Sequence, residues 1–302
     1  MAATLIAVVA AIVLGHVAPT FAAGVRSHDW FHSWLRWLDE RFPGDGAWRG
    51  RYGIALALLP PVLLVALFQA ALDAPLLGLA GLLFGIAVLF YSWGPRDLDI
   101  DVEAILSAPD SASRSEAALR LWPDPMRAVP DPPGMVAAVF TAAQRRWFGV
   151  LFWFLLLGAA GALLYRLVAL AAESEDSRLL PADTAAGARW LHALMDWPVG
   201  QLMTFAMALV GNFDTVVGAW KDNGGASFDM DAEFLAAAGR ASVRAEVAEQ
   251  AEEYIEEGLA APDLAQQLGE LPELRDAMSL VWRVLLLWLA VLALFVLAGW
   301  VA

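Results

Sequence analysis

Long apolar stretches alternate with shorter polar segments along the whole chain. A helix needs about 20 mostly apolar residues to cross a hydrocarbon core about 30 Å thick. Six stretches come close to this length with few charges, and we predict that each spans the membrane: residues 3–22, 52–72, 76–93, 147–170, 190–210 and 280–301. The pattern therefore predicts an all-α integral membrane protein, with residues 1–302 forming a single membrane domain.

Two of these stretches leave an alternative open. The first ends in small residues near Ala22, as a signal peptide does, but no basic region precedes its apolar run, so we interpret it as a span. The fifth contains Asp196, Pro198 and Gln201. If residues 190–210 do not cross the membrane, the number of spans falls from six to five.

Arginine sets the expected orientation, because short cytoplasmic loops of membrane proteins are enriched in arginine and lysine. The segments 24–51 and 94–146 are both rich in arginine, so we predict that they are cytoplasmic. With six spans, segment 212–279 is cytoplasmic as well, and both termini lie outside.

Composition supports the bilayer as the solvent and excludes several classes of protein. The chain is 60% apolar and 17% charged, and its mean hydropathy is +0.58. The absence of cysteine excludes disulfides, thiolate zinc sites and a cysteine nucleophile. A net charge of −14 argues against nucleic acid as a partner, because phosphate binding requires a concentrated basic surface.

Three polar segments carry patterns that resemble sites, and we give each a structural interpretation. Residues 27–41 predict an amphipathic helix in the membrane interface, and His28 and His32 lack a third metal ligand nearby. Asp97, Asp99 and Asp101 alternate as calcium ligands do, without the glycine and glutamate of a calcium loop. Residues 228–261 predict a long, exposed acidic helix, with docking of a basic partner as the alternative. We therefore expect no metal, no cofactor and no catalytic residue.

Ionisable residues beside apolar spans are the candidates for function, because burying them in a membrane is costly. The intramembrane polar candidates are Arg145, Arg146, Tyr165, Arg166, Asp196 and Trp197, and the loop candidates are Arg96 and Asp97. Arg166 lies twenty residues beyond Arg146, roughly 30 Å along a straight helix. We expect Arg166 either to reach the opposite headgroups or to pair with Asp196.

Two of these segments carry a family resemblance. The sequence RRWFGVLFWFLLLGAAGALLYRL at 145–167 is followed by LHALMDWPVGQLMTFAMALVGNFDTVVGAW at 191–220. Together they resemble the AmpE family of bacterial inner-membrane proteins over about 75 residues. The segment GPRDLDIDVEAI at 94–105 and the C-terminal span agree with that family in position and character.

The resemblance implies a multi-pass protein of the bacterial inner membrane. Its implied role is that of a sensor or signalling modulator that links peptidoglycan recycling to β-lactamase induction and the antibiotic response. The implied functional partner is the AmpD amidase. Paired arginines bind carboxylates well, so an anhydromuramyl-peptide is the expected ligand. The lipid bilayer is the other expected partner.

AmpE is in turn similar to the CobD/CbiB family of cobalamin biosynthesis, whose members form an amide bond. Their polar E-N-T-x-D-like signature is replaced here by FTAAQRRWFGV at 140–150, so we expect no catalysis. The alternative is a membrane-embedded amide-forming or phosphate-handling enzyme built on Asp97, Asp99, Arg146 and Asp196. A transporter is less favoured, because the chain shows no repeated halves with broken helices.

Overall fold

The computed structural model describes residues 2–17, 24–43, 46–72, 78–94, 96–173, 175–227, 233–257, 267 and 269–298. All regular secondary structure in these residues is helical, which confirms the predicted all-α class. The α-helices are α1 (Ala2–Val17), α2 (Asp29–Arg41), α3 (Ile54–Leu72), α4 (Gly78–Ser92), α5 (Leu98–Leu106), α6 (Ser111–Ala118), α7 (Pro132–Ala143), α8 (Gly149–Leu157), α9 (Ala159–Glu173), α10 (Ala182–Val210), α11 (Phe213–Asp222), α12 (Glu233–Glu256) and α13 (Pro272–Leu297).

Among the residues that the structure describes, three helices are long and apolar enough to cross a membrane: α3, α10 and α13. Shorter apolar helices cover Thr4–Gly15 and Gly78–Ser92. Leu64 and Leu67 of α3 are 57% and 69% exposed, as expected of side chains that face lipid. The predicted span ends at 18–22 and 299–301, and the link at 73–75, lie outside the described residues.

The chain divides into two compact units. The first contains Met1–Asp97, Arg145–Asp196 and Leu292–Ala302, and the second contains Leu98–Gln144 and Trp197–Val291. In the first unit α1 packs against α4, and α9 packs against α3 and α4. In the second unit α12 packs against both α7 and α11.

The polar segments begin their helices with conventional caps. The side chains of Asp110, Asp131 and Asn212 accept hydrogen bonds from the main-chain N–H groups of residues three positions later, at 2.8, 2.8 and 3.1 Å. These bonds satisfy donors that have no partner inside the helix. Pro132 follows its cap at the first helical position, where the missing N–H has no cost.

Two predicted helices lie where the sequence indicates, with different surroundings. Helix α2 buries Phe31 and Leu35, while Trp37 is 49% exposed on a face that also carries Ser33 and Arg36. Helix α12 covers much of the acidic stretch, but it buries Phe234 and Leu235 in its first half. The prediction that this helix is exposed throughout is therefore wrong, because its alanine-rich start packs into the second unit.

Candidate functional site

The segment predicted as one span over residues 147–170 is a helical hairpin. Helix α8 ends at Gly158, whose φ of 69° lies in the left-handed region that glycine adopts without strain. A Cβ placed on Gly149 would overlap the ring of Tyr165, and one placed on Gly161 would overlap the carbonyl of Trp153. In a straight helix Gly149 and Tyr165 would be about 24 Å apart. The prediction of a continuous span here is therefore wrong.

Gln69 of α3 closes the tip of this hairpin. Its Nε2 atom donates to the carbonyl of Leu157 at 3.3 Å, and its Oε1 atom accepts from the N–H of Ala160 at 3.1 Å. These are main-chain groups at the end of α8 and the start of α9, where helices leave them without internal partners. A single amide side chain thus satisfies both ends of the turn inside an otherwise apolar environment.

The hairpin brings Arg166 next to Arg145 instead of to the opposite headgroups. The guanidinium of Arg166 donates to the carbonyl of Ser92 at 2.7 Å and to that of Arg145 at 3.4 Å. Arg166 is 4% exposed. The prediction that Arg166 reaches the far side of the membrane is wrong, because it assumes a straight helix.

A second arginine, Arg26, binds the same end of α4. It donates to the carbonyls of Phe90 at 3.1 Å and Gly94 at 3.2 Å, and its guanidinium lies over the Phe90 ring. The last carbonyls of a helix carry partial negative charge and lack helical partners. Arg26 and Arg166 therefore stabilise the C-terminal end of α4 from two directions.

Arg146 lies against the same end through its main chain. The N–H of Gly94 donates to the carbonyl of Arg146 at 3.1 Å. A Cβ on Gly94 would lie 2.6 Å from the Cβ of Arg146, so only glycine allows this approach. Four arginines thus gather around residues 90–94, and we call Arg26, Arg145, Arg146 and Arg166 the arginine cluster.

A series of polar side chains, most of them buried, extends from the hairpin to α10. The hydroxyl of Tyr165 donates to the carboxylate of Asp196 at 2.6 Å. His192 lies between two carboxylates, with Nε2 3.4 Å from Asp196 and Nδ1 3.6 Å from Glu173. Glu173 also pairs with Arg145 at 2.9 Å, which joins this series to the arginine cluster.

The pKa values of Arg26 and His28, near the start of segment 24–51, are shifted by their surroundings. Burial and the charge of Arg166 lower the pKa of His28 to about 4. Burial lowers the pKa of the Arg26 guanidinium, and the nearby carboxylate of Asp97 opposes that shift. His28 is therefore neutral near pH 7, and its ring packs on Tyr91 with centroids 4.7 Å apart.

Five of the eight candidates from the sequence come together here, namely Arg145, Arg146, Tyr165, Arg166 and Asp196. Of the others, Asp97 carries a negative charge that raises the pKa of Arg26. Arg96 is exposed, and Trp197 belongs to the second unit. Asp99 lies in the second unit, where it accepts a hydrogen bond from Trp282 at 3.2 Å.

Sequence reasoning missed Arg26, Gln69, Glu173 and His192. The spacing of His192 and Asp196, four residues apart on one helix face, was the one available signal. Arg26 was counted only as part of a basic loop. No three metal-ligating side chains converge in the part of the chain that the structure describes.

Comparisons of the chain with protein-family models, with curated proteins and with solved structures found no match. The resemblance to the AmpE family therefore stays a prediction that rests on the sequence segments quoted above.

Proposed function

We propose that the chain is a multi-pass protein of the bacterial inner membrane that recognises an anionic ligand and modulates signalling, without catalysis of its own. The arginine cluster carries this proposal. Its members are held together by main-chain carbonyls and by Glu173, which keeps like charges close without a ligand. Nη2 of Arg26 and Nε of Arg145 are buried and donate to no described residue, so they remain for an anion.

The proposed ligand is an anhydromuramyl-peptide, and the proposed outcome is a change in β-lactamase induction. The chemistry supports a carboxylate, because guanidinium groups bind carboxylates through paired charge-assisted hydrogen bonds. The resemblance to the AmpE family supports the link to peptidoglycan recycling, the antibiotic response and the AmpD amidase.

Arg145 is the position that tests this function. Its ion pair with Glu173 is partly exposed, with side-chain exposures of 30% and 23%, so the variant Arg145→Gln should fold. Arg41 is an exposed arginine of α2 and provides the control variant Arg41→Gln. In a strain lacking the protein, we expect wild type and Arg41→Gln to restore β-lactamase induction and Arg145→Gln to fail.

Calorimetry with the purified protein separates ligand binding from signalling. An anhydromuramyl-peptide should bind wild type and Arg41→Gln, with at least tenfold weaker binding to Arg145→Gln. Absence of binding to the wild type would remove this ligand from the proposal. Unchanged induction on deletion of the protein would remove the signalling role.

The proposed topology has four crossing helices, α1, α3, α4 and α13, with the α8–α9 hairpin entering and leaving on the cytoplasmic side. The pair of Arg145 and Glu173, at 2.9 Å, supports the return of the hairpin to the side where it began. Within the second unit, a Cβ on Gly239 of α12 would overlap the ring of Phe140 of α7. Helix α7, which precedes the hairpin, and helix α12, which follows α10, therefore lie on the same side of the membrane in this topology.

In this topology α10 does not cross, although its length and composition would allow it. Burial supports this placement, since 56% of the apolar window of α10 is buried inside the protein, against 17% for α3 and 22% for α13. Both termini stay outside, and residues 24–51, 94–146 and 212–279 stay cytoplasmic. The connection between α9 and α10 becomes cytoplasmic, whereas six spans would place it outside.

A single cysteine tests this topology, because the chain contains none of its own. The variant Ser177→Cys should react with a membrane-impermeant maleimide only after the cells are permeabilised. Ser227→Cys, which is cytoplasmic in both topologies, is the matched control. Labelling of Ser177→Cys in intact spheroplasts would restore the six-span arrangement.

One observation favours an enzyme as the second candidate function. The proton-exchanging side chains of Tyr165, Asp196 and His192 are buried and connect to the partly exposed Glu173. This arrangement suits general acid–base chemistry of an amide-forming or phosphate-handling enzyme. The enzyme alternative predicts that the wild type turns over a substrate and that Asp196→Asn binds the ligand without turnover. That result would establish this alternative over the signalling role.

A further inference from the structure

A groove of about 490 Å³ lies between α11 and α12, within the second unit. Its lining includes Asp214, Gly218 and Asp222 from α11, and Ala237, Arg240 and Arg244 from α12. This volume lies within the range of about 300–1,000 Å³ that small-molecule sites occupy.

The groove carries opposite charges on its two walls. Asp214 and Asp222 lie about two helical turns apart on α11, and Arg240 and Arg244 lie one turn apart on α12. Among the described residues, none forms a hydrogen bond or an ion pair with any of these four side chains. Arg240 is half-buried and Arg244 is exposed, so their guanidinium groups are available to a ligand from outside.

The floor of the groove is made of small residues. The α11 wall is held in place by hydrogen bonds to Gln201. A Cβ added to Gly218 would meet no atom within 4 Å, so the space above this residue is open. Gln201 accepts a hydrogen bond from Trp220 at 2.9 Å and donates to the carbonyl of Gly225 at 2.9 Å, which holds the end of α11. The groove is therefore formed before any ligand enters.

We propose that this groove binds a short zwitterionic peptide, with its carboxylate on Arg240 and Arg244 and its ammonium group on the aspartates. A simple anion would meet two carboxylates in the groove, and a simple cation would meet two guanidinium groups. A molecule that carries both charges satisfies both walls.

Calorimetry with the full chain in detergent tests the charge requirement. The probes are the tripeptide Ala-Ala-Ala, its N-acetyl form, its C-terminal amide and the form blocked at both ends. The free tripeptide should bind tightest, and each block should weaken binding about tenfold or more. No binding of the free tripeptide, or equal binding of the doubly blocked form, would overturn the proposal.

Charge variants assign each end of the peptide to a wall. In Arg244→Gln the free tripeptide and its amide should bind more equally than in the wild type. In the double variant Asp214→Asn/Asp222→Asn the free tripeptide and its N-acetyl form should bind more equally. If the free and blocked tripeptides differ in affinity as much in these variants as in the wild type, the peptide binds outside this groove.

Gly218 provides a steric test that leaves the charges in place. Gly218→Leu should fill the groove and abolish binding, whereas Gly218→Ala should retain it, and both side chains enter open space. Wild-type affinity in Gly218→Leu would contradict the assignment of the groove. Arg41→Gln, which changes an exposed arginine of α2 outside the groove, should leave tripeptide binding unchanged.

Discussion

The arginine cluster of the first unit and the groove of the second unit use the same side chain in opposite circumstances. Arg166 is 4% exposed and donates to two main-chain carbonyls. Arg244 is exposed, and no described residue pairs with it. A buried charge without partners costs several kcal/mol, so the first unit must bind its guanidinium groups within the fold. The groove can leave them to solvent and to a ligand.

Two glycines give the largest expected difference between these regions. Gly149→Leu should lower the free energy of unfolding by about 3 kcal/mol, because its side chain would overlap Tyr165 and force the hairpin apart. Gly218→Leu should change it by less than about 1 kcal/mol, since its side chain enters open space. Thermal unfolding followed by tryptophan fluorescence in detergent measures both. Equal destabilisation would show that α8 and α9 do not pack as described.

Two arginines give the next largest difference. Arg166→Met should lower the free energy of unfolding by about 2 kcal/mol, because the carbonyls of Ser92 and Arg145 lose a charged donor. Arg244→Met should change it by less than about 0.5 kcal/mol, as is usual for exposed positions. Chemical denaturation of both variants checks this. A harmless Arg166→Met would mean that the end of α4 does not depend on this arginine.

Gln69 extends the comparison to a neutral polar residue. Gln69→Leu should cost about 1–2 kcal/mol, because it leaves the carbonyl of Leu157 and the N–H of Ala160 without their side-chain partner. Gln250 is exposed on α12, and Gln250→Leu is the control with little expected effect. Hydrogen exchange at the N–H of Ala160 should quicken only in Gln69→Leu.

His28 gives the smallest expected effect and reports on the charge of the arginine cluster. Its pKa falls from 6.5 to about 4 in the folded protein, so on acidification the unfolded chain takes up the proton first. Stability should therefore decrease as the pH falls from about 6.5 to about 4, and His28→Gln should remove this part of the dependence. Since Arg166 contributes to the shift, Arg166→Met should raise the pKa of His28, which histidine NMR signals would show. Identical titration in both proteins would exclude that coupling.

The helical class and the apolar helices could be predicted from the sequence because hydropathy is a local property. The hairpin could not, because residues 147–164 around the turn are uniformly apolar and the turn depends on the backbone angle of Gly158. Hydropathy averages over such a residue, whereas a positive φ reverses the chain there.

Part of the candidate site could also be predicted from the sequence, because local hydropathy makes polar residues conspicuous beside apolar stretches. Arg145, Arg146, Tyr165, Arg166 and Asp196 stand out as polar residues beside apolar stretches. Arg26 and Glu173 do not, because they lie in or next to polar segments where charges are ordinary. Their role comes from contacts with residues 64 or more and 28 positions away in the chain, respectively.

The sequence by itself determined that this chain is helical and that some of its helices are apolar enough to cross a bilayer, since both follow from the length and composition of its apolar stretches. It also determined which ionisable residues lie in or beside apolar stretches, where burying them costs free energy. Only the tertiary structure decided that the fourth apolar stretch folds back on itself, that four arginines meet at the end of α4, and that two others face two aspartates across a groove. The physical reason is that a charge is stable where distant parts of the chain supply its partners, and those partners are fixed only by packing.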